Sequence, residues 1–172
     1  MAGIGFWLTR RELLHGGREA VVDGRRRLSY QALNGRVNQL ARSLQSMGLK
    51  HGERCAVLAY NCLEFVETLF AAAKLGLIVV PLNWRLAPAE LAFILSDSCT
   101  ETLLFDSDFA GTVEALKSQT PLRRFIAFGS QEVPGAVSYE KALAAQGNDE
   151  PGPGQRVDRD SPHIIMYTAG TT

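Results

Sequence analysis

The sequence predicts an α/β fold, a mostly parallel sheet with helices on both faces, from three observations. Segments of helical and extended periodicity alternate from Ser29 to Phe128. The extended segments are continuous apolar runs rather than alternating ones, as strands covered on both faces require. The chain between successive strands is long enough to hold a helix, which suits right-handed parallel crossovers.

The elements follow in order. Leu33, Val37, Leu40, Ala41, Leu44 and Met47 recur at helical spacing, with Ser29 as the N-cap and Gly48 as the terminator. Arg54 to Tyr60 reads as a buried strand. Asn61 followed by Glu64 matches a capping box opening a second helix, with Val66, Leu69, Phe70, Ala73 and Leu77 inward. Ile78 to Leu82 is the next strand. Pro88 suits the first turn of a third helix whose apolar face is Leu91, Ile94 and Leu95. Thr102 to Phe105 resumes as a strand ending at Asp106. Val113 to Ser118 reads as helix, Phe125 to Phe128 as strand, and Ser138 to Ala145 as a short helix closed by Gly147.

Residues 147–160 carry Gly147, Pro151, Gly152, Pro153 and Gly154 and read as an exposed connector. The chain therefore divides into an α/β subdomain over 1–146, the connector over 147–160, and a strand with its following loop over 161–172. No internal repeat is visible.

Composition sets the outer bounds. A chain of 172 residues, 46% hydrophobic and 21% charged, can bury one core. Eighteen basic residues balance eighteen acidic ones, so no net field favours nucleic acid or an anionic membrane. Arg25, Arg26 and Arg27 read as a solvated hairpin face. The apolar stretch from Phe65 to Leu82 is broken by Glu67, Lys74 and Gly76, which excludes a membrane span. The N-terminus lacks the pattern of a secretory signal, so a cytoplasmic location is expected.

Cys55, Cys62 and Cys99 are odd in number and without close pairs, so reduced, mostly buried thiols are expected rather than disulfides or a metal site. His15, His51 and His163 are equally scattered, and His163 reads as a packed or solvated side chain. No catalytic residue and no metal ligand is assigned.

The chain ends on Thr168, Ala169, Gly170, Thr171 and Thr172, directly after the apolar run Ile164, Ile165, Met166. Small hydroxyl residues around a glycine after a buried strand suit an anion-binding turn. Gly170 permits positive φ and close backbone approach, while the hydroxyls of Thr168, Thr171 and Thr172 donate to phosphate oxygens. Such a loop also needs a cation, and the last lysine is Lys141, far upstream.

Tyr167 to Thr172 resembles the first six positions of the Tyr-Thr-Ser-Gly-Thr-Thr-Gly signature of the adenylate-forming superfamily, which includes acyl-CoA synthetases, luciferases and nonribosomal-peptide adenylation domains. Ala169 stands in place of the usual serine, which removes one hydroxyl donor. Pro81, Leu82, Asn83, Trp84, Arg85 and Leu86 resemble the family's Pro-Leu-Asn-x-Arg-Leu turn, and Asn61 to Phe65 resembles the segment preceding it. The match is most like an acyl-CoA synthetase. It implies the N-terminal part of that enzyme's large domain. It also implies ATP, Mg2+ and coenzyme A as small molecules, and a carboxylic acid, fatty in class, as substrate.

Apart from the resemblance, Asn83 is expected to satisfy local backbone groups, Arg85 to pair with a carboxylate or helix-end carbonyls, and Trp84 to pack. The rest of the loop with its lysine, the acyl and adenine pockets and the C-terminal domain used by the family are absent. The chain is thus read as an N-terminal fragment, inactive alone and prone to self-association through uncovered apolar surface. A carrier protein in place of free coenzyme A stays open. So does a second reading of the chain, a non-catalytic α/β module serving interaction or assembly.

Overall fold

Strand β3, Arg54–Leu58, lies inside the sheet and is hydrogen-bonded on both sides by parallel neighbours. In this computed structural model residues 3–152 and 157–168 are described. Helix α1 spans Gly5–His15, and an antiparallel hairpin of β1 (Glu19–Asp23) and β2 (Arg26–Ser29) follows it. Helix α2 is Tyr30–Ser46 and precedes β3. After β3 come α3 (Leu63–Leu75), β4 (Ile78–Leu82), α4 (Pro88–Asp97) and β5 (Thr102–Asp106). A 3-10 turn then leads to α5 (Ala110–Lys117), β6 (Arg124–Phe128), β7 (Val137–Ser138) and α6 (Tyr139–Ala144).

The parallel sheet has the order β4-β3-β5-β6-β7. Successive residues of β3 point to opposite faces: Cys55 and Val57 join the core beneath α2 and α3, whereas Ala56 and Leu58 join the core beneath α4 and α5. Apolar clusters lie on both faces, so the strand is apolar throughout and shows no alternation in sequence.

Local signals account for most boundaries. The Ser29 hydroxyl accepts from the Ala32 N–H at 3.2 Å, and Gly48 beyond α2 takes φ +86°. At α4, Pro88 fills the first turn and the Glu90 carboxylate reaches back to the Ala87 N–H at 2.8 Å.

Four expectations need correction. No Asn61–Glu64 box caps α3; the Leu63 N–H donates to Asp23 at 3.0 Å, and Glu64 is held by Arg26. A carboxylate from the hairpin thus replaces the local cap, because Arg26 draws both acids to one place. Arg26 and Arg27 are accordingly not a merely solvated face: Arg26 bridges Asp23 and Glu64, and Arg27 meets Glu19 at 2.6 Å. The inward side of α3 is Leu63, Glu64, Glu67, Thr68, Ala71, Ala72 and Ala73, with Val66, Leu69 and Phe70 only half-buried. Small alanines let α3 sit close, and its buried acids are neutralised from other elements. Finally, of the three free thiols only Cys55 is buried, Cys62 being half-buried and Cys99 exposed.

Helix α1 and strand β7 have no counterpart in the sequence periodicity. The two residues of β7 are too few to carry a pattern, and most of the large apolar residues of α1 point outward.

Glu67 is fully buried between α2, α3 and α6. The Arg36 guanidinium meets it at 2.5 Å, the Tyr139 hydroxyl donates to it at 2.7 Å, and Arg36 also reaches Glu140 at 2.7 Å. Burial pushes the Glu67 carboxyl above its ordinary range despite the pull of Arg36. Burial likewise holds the Tyr139 hydroxyl well above its usual value. Replacing Arg36 with Met leaves a buried carboxylate without its counter-charge and is expected to cost about 3–5 kcal/mol at pH 7. Tyr139→Phe removes only one donor and should cost about 1–2 kcal/mol. For an acid with a raised folded pKa, the stabilising contribution is present at low pH and lost as pH rises. The Arg36→Met deficit in urea unfolding should therefore shrink from pH 7 to pH 5. A deficit equal to that of Tyr139→Phe, or one that grows on acidification, would contradict this.

Candidate active site

All strands of the sheet run parallel, so their carboxyl ends share one rim. The chain passes from β3 to β4 on one side and then crosses to β5 on the other, which puts the reversal of strand order between β3 and β5. A crevice at that point is where open parallel sheets take ligands.

Three aromatic side chains gather on this rim, one following each of β3, β4 and β5. Tyr60 packs edge-on against Trp84 with ring centroids 4.9 Å apart and lies 5.1 Å from Phe109. The turn after β4 is held by Asn83, whose side-chain carbonyl accepts from the Arg85 N–H at 3.1 Å, as expected. Trp84 packs, also as expected, but stays partly exposed. Arg85 departs from the expected pairing: its guanidinium lies over the Trp84 ring at 4.2 Å, and no carboxylate among the described residues pairs with it. Stacking on a weakly hydrated cation leaves its N–H groups facing solvent, available to an anion.

The final segment pairs with β4 near the strand's start. The Val79 N–H donates to the His163 carbonyl at 2.8 Å, and the Ile165 N–H to the Val79 carbonyl at 2.9 Å, forming a parallel bridge at Ile164. Residues 163–165 thus lie along β4 on the side away from β3. The segment is an edge rather than the buried strand expected: Ile164 and Met166 are exposed, because the described residues provide nothing beyond that edge to cover them. Ile165 and Tyr167 face the core beneath α4 and α5, and the Tyr167 hydroxyl donates to the Asp97 carboxylate at the end of α4. Burial and then Asp97 raise the Tyr167 pKa.

Thr168 follows and is exposed. Ala169, Gly170, Thr171 and Thr172 lie outside the described residues. His163 is half-buried, and burial lowers its pKa, which fits a packed side chain.

Lys74 carries no signal of its own beyond being a charge inside an apolar helix. Its side chain is 4% exposed, and its Nζ lies 2.7 Å from Asn34 Oδ1, Asn38 Oδ1 and both oxygens of Glu150, and 3.1 Å from Thr9 Oγ1. Asn38 also donates to the Asn148 carbonyl at 2.9 Å and Gln39 to the Gln146 carbonyl at 3.2 Å. The chain leaving α6 is therefore tied to α2 and α3 before it returns toward β4. Burial outweighs attraction at the ammonium and lowers its pKa. At the half-exposed Glu150, burial is outweighed by Lys74 and Asn34, which hold the carboxyl below its ordinary range.

A second hollow of about 840 Å³ opens past the ends of β5 and β6, lined by Asp106, Phe128, Gly129, Arg26, Glu64 and Cys62 among others. Burial pushes the Cys62 thiol up to about 11, so it stays protonated and is no nucleophile at neutral pH. Among the described residues no group of three His, Cys, Asp or Glu side chains could hold a metal ion.

A sequence profile of the family described as "AMP-binding enzyme" matches residues 8–172. The chain belongs to the AMP-binding enzyme family. It is 36% identical over 166 residues to the indoleacetate–CoA ligase of Aromatoleum aromaticum, covering 96% of this chain and 32% of that one. It is 33% identical over 174 residues to the long-chain-fatty-acid–CoA ligase FadD13 of Mycobacterium tuberculosis, covering 100% and 33%. Among solved structures, the inhibitor-bound N-terminal domain of FACL13 from Mycobacterium tuberculosis superposes with a TM-score of 0.87 at 31% identity, over 99% of this chain and 42% of that one. The chain spans about a third of the length of the curated relatives it matches.

In this AMP-binding family member, replacing Lys74 with Met should release Glu150 and leave Asn34 and Asn38 without their shared donor, at a cost of about 1–3 kcal/mol. Amide exchange at Ile165 and Val79 should then quicken by roughly tenfold or more relative to β3, since freeing one end of an edge segment favours local opening. Unchanged exchange at those two amides would show that the tie at Lys74 does not govern the edge.

Proposed function

We propose that this chain forms the N-terminal part of an ATP-dependent acyl-CoA ligase that activates a carboxylic acid, fatty in class, and passes the acyl group to coenzyme A. The observation that carries the reading is the bridge that sets residues 163–165 along β4, the segment from which the threonine-rich loop continues. The CoA ligase activity named for both relatives supports it. In the proposed reaction the acid's carboxylate oxygen attacks the α-phosphorus of ATP, expelling pyrophosphate and leaving an acyl-adenylate. The thiol of coenzyme A then displaces AMP from the acyl carbon, losing its proton as the thioester forms.

Within that reaction Thr168, Thr171 and Thr172 donate hydroxyl protons to phosphate oxygens, and Gly170 allows its backbone to approach them. Ala169 offers only its backbone N–H. Arg85, exposed on the rim, supplies positive charge toward a polyphosphate. ATP, Mg2+ and coenzyme A are the small molecules this reading requires, and a cytoplasmic setting suits them. The division into a subdomain over 1–146, a connector over 147–160 and a strand with phosphate loop over 161–172 belongs to the same proposal. So does the inactivity of the 172-residue chain by itself, and its self-association through the exposed edge at Ile164 and Met166.

The test is pyrophosphate release with ATP and a panel of fatty and aromatic acids, run on the 172-residue chain and on a form continued to the length of its relatives. The longer form should turn over and the 172-residue chain should not. Thr171→Ala in the longer form should lower kcat by roughly 100-fold, as loss of one preorganised donor does. Failure of the longer form with every acid overturns the ligase reading, and turnover by the 172-residue chain overturns its inactivity.

A further inference from the structure

Backbone pairing of the returning segment with β4 stops after a single bridge, and one residue accounts for it. On the edge of β4 turned away from β3, the Val79 N–H donates to the His163 carbonyl at 2.8 Å and the Val79 carbonyl accepts from the Ile165 N–H at 2.9 Å. In a parallel ladder the next residue to face that edge lies two positions on, and it is Pro81. Proline carries no N–H, so the donor that would meet the Ile165 carbonyl is missing. On its other edge β4 pairs with β3 without a break from Ile78 to Leu82, so the strand itself is regular there. The bridge between Val79 and Ile164 therefore stays isolated.

Past Ile165 a side chain takes over from the backbone. The Tyr167 ring packs against the core beneath α4 and α5, and its hydroxyl donates to the Asp97 carboxylate. Within its own helix Asp97 is misplaced. It is the last residue of α4, where the carbonyl end of the helix disfavours a negative charge, and no basic residue in that turn offsets it. The helix is closed instead by Ser98, whose N–H and hydroxyl donate to the Ile94 carbonyl at 3.0 and 2.7 Å. An exposed acid that works against its helix is thus bonded to the residue immediately before Thr168.

We propose that Asp97 is a positioning residue for the threonine loop, holding Tyr167 by its hydroxyl just where Pro81 interrupts the ladder. The inference rests on reading residues 168–172 as the phosphate-binding loop of the reaction proposed above. A loop whose base is fixed before ATP arrives loses less freedom on binding. A hydroxyl bonded to a carboxylate is a charge-assisted tie, strong enough to fix one end of a short segment. Weakening it makes ATP binding poorer, while the step that follows is largely unchanged once the nucleotide has ordered the loop.

The test uses the isosteric variants Asp97→Asn and Tyr167→Phe, together with Pro81→Ala, which supplies the missing N–H. In the 172-residue chain, amide NMR relaxation should show Tyr167 and Thr168 losing order in each of the first two variants, with the β3 amides of the same sample unmoved. The double variant should be no looser than either single one, and Pro81→Ala added to either should restore order. In the form continued to the length of its relatives, each single variant should raise the KM for ATP by roughly tenfold and leave kcat within about threefold, with Pro81→Ala recovering much of the loss. A role confined to stability would not move KM alone, nor would it answer to Pro81→Ala. Unchanged order at Tyr167 and Thr168, independent effects in the double variant, or a fall in kcat at constant KM overturns the proposal. The relaxation measurement needs no turnover. A longer form inactive with every acid therefore overturns the ligase reading, while the order at Tyr167 and Thr168 still decides the role of Asp97.

Discussion

Helix α3 buries three charges, and that constraint organises everything packed around it. The side chains of Glu64, Glu67 and Lys74 are 8%, 0% and 4% exposed. None can stay ionised in a dry interior without a partner brought to it. The hairpin brings Arg26 to Glu64, α2 brings Arg36 to Glu67, and the chain after α6 brings Glu150 to Lys74. Asn34 and Asn38 of α2 and Thr9 of α1 complete the shell of Lys74, while Tyr139 of α6 completes that of Glu67. A hydrophobic face would let these elements slide or rotate at small cost. Paired charges admit one arrangement, so α3 fixes the register of the hairpin, α1, α2, α6 and the returning chain together. Such pairs add less to net stability than their number suggests, because desolvation offsets much of the attraction.

The sheet supplies the complementary constraint. Parallel strands place every carboxyl end on one rim, and the order β4-β3-β5 puts Tyr60, Trp84 and Phe109 side by side there. An aromatic floor with Arg85 stacked on it is rigid at the rings and open at the guanidinium. The segment around Ile164 lies along the edge of β4 away from β3. Its approach is set by one backbone bridge at Val79 and one side-chain bond from Tyr167 to Asp97. So short a pairing cannot define a position unaided; the tie of Glu150 to Lys74 upstream limits where the chain can start its return.

What was legible in the sequence divides along the same line. Elements whose cause is local could be read: Ser29 caps α2 because its hydroxyl is three residues from the N–H it serves, and Ile78–Leu82 is a strand because both faces are apolar. The turn at Asn83 was legible for the same reason. The inward face of α3 was not, since the partners of its charges lie 31 to 76 residues away and a periodicity count scores Glu67 and Lys74 as surface. The stacking of Arg85 on Trp84 also escaped: a guanidinium beside an indole can stack or reach for a carboxylate, and the sequence alone does not choose between them. In α1 the pattern was present but inverted, with its apolar residues marking the outer face.

That inversion follows from α3 as well. Lys74 needs oxygen ligands from the side where α1 packs, so the inner side of α1 must offer Thr9 there, with Glu12 beside it on Asn34, and Gly5 must let the backbones close. A Cβ at Gly5 would sit 2.7 Å from the Lys74 backbone nitrogen, so no larger residue fits that crossing. With its polar and small residues committed inward, an 11-residue helix has only its outer arc left for Phe6, Trp7, Leu13 and Leu14. The same buried lysine that anchors the chain on its way to Thr168 therefore also sets which face α1 shows to the outside. A structural requirement at the centre of the fold and the chemistry of its surface are thus two consequences of one buried ammonium group.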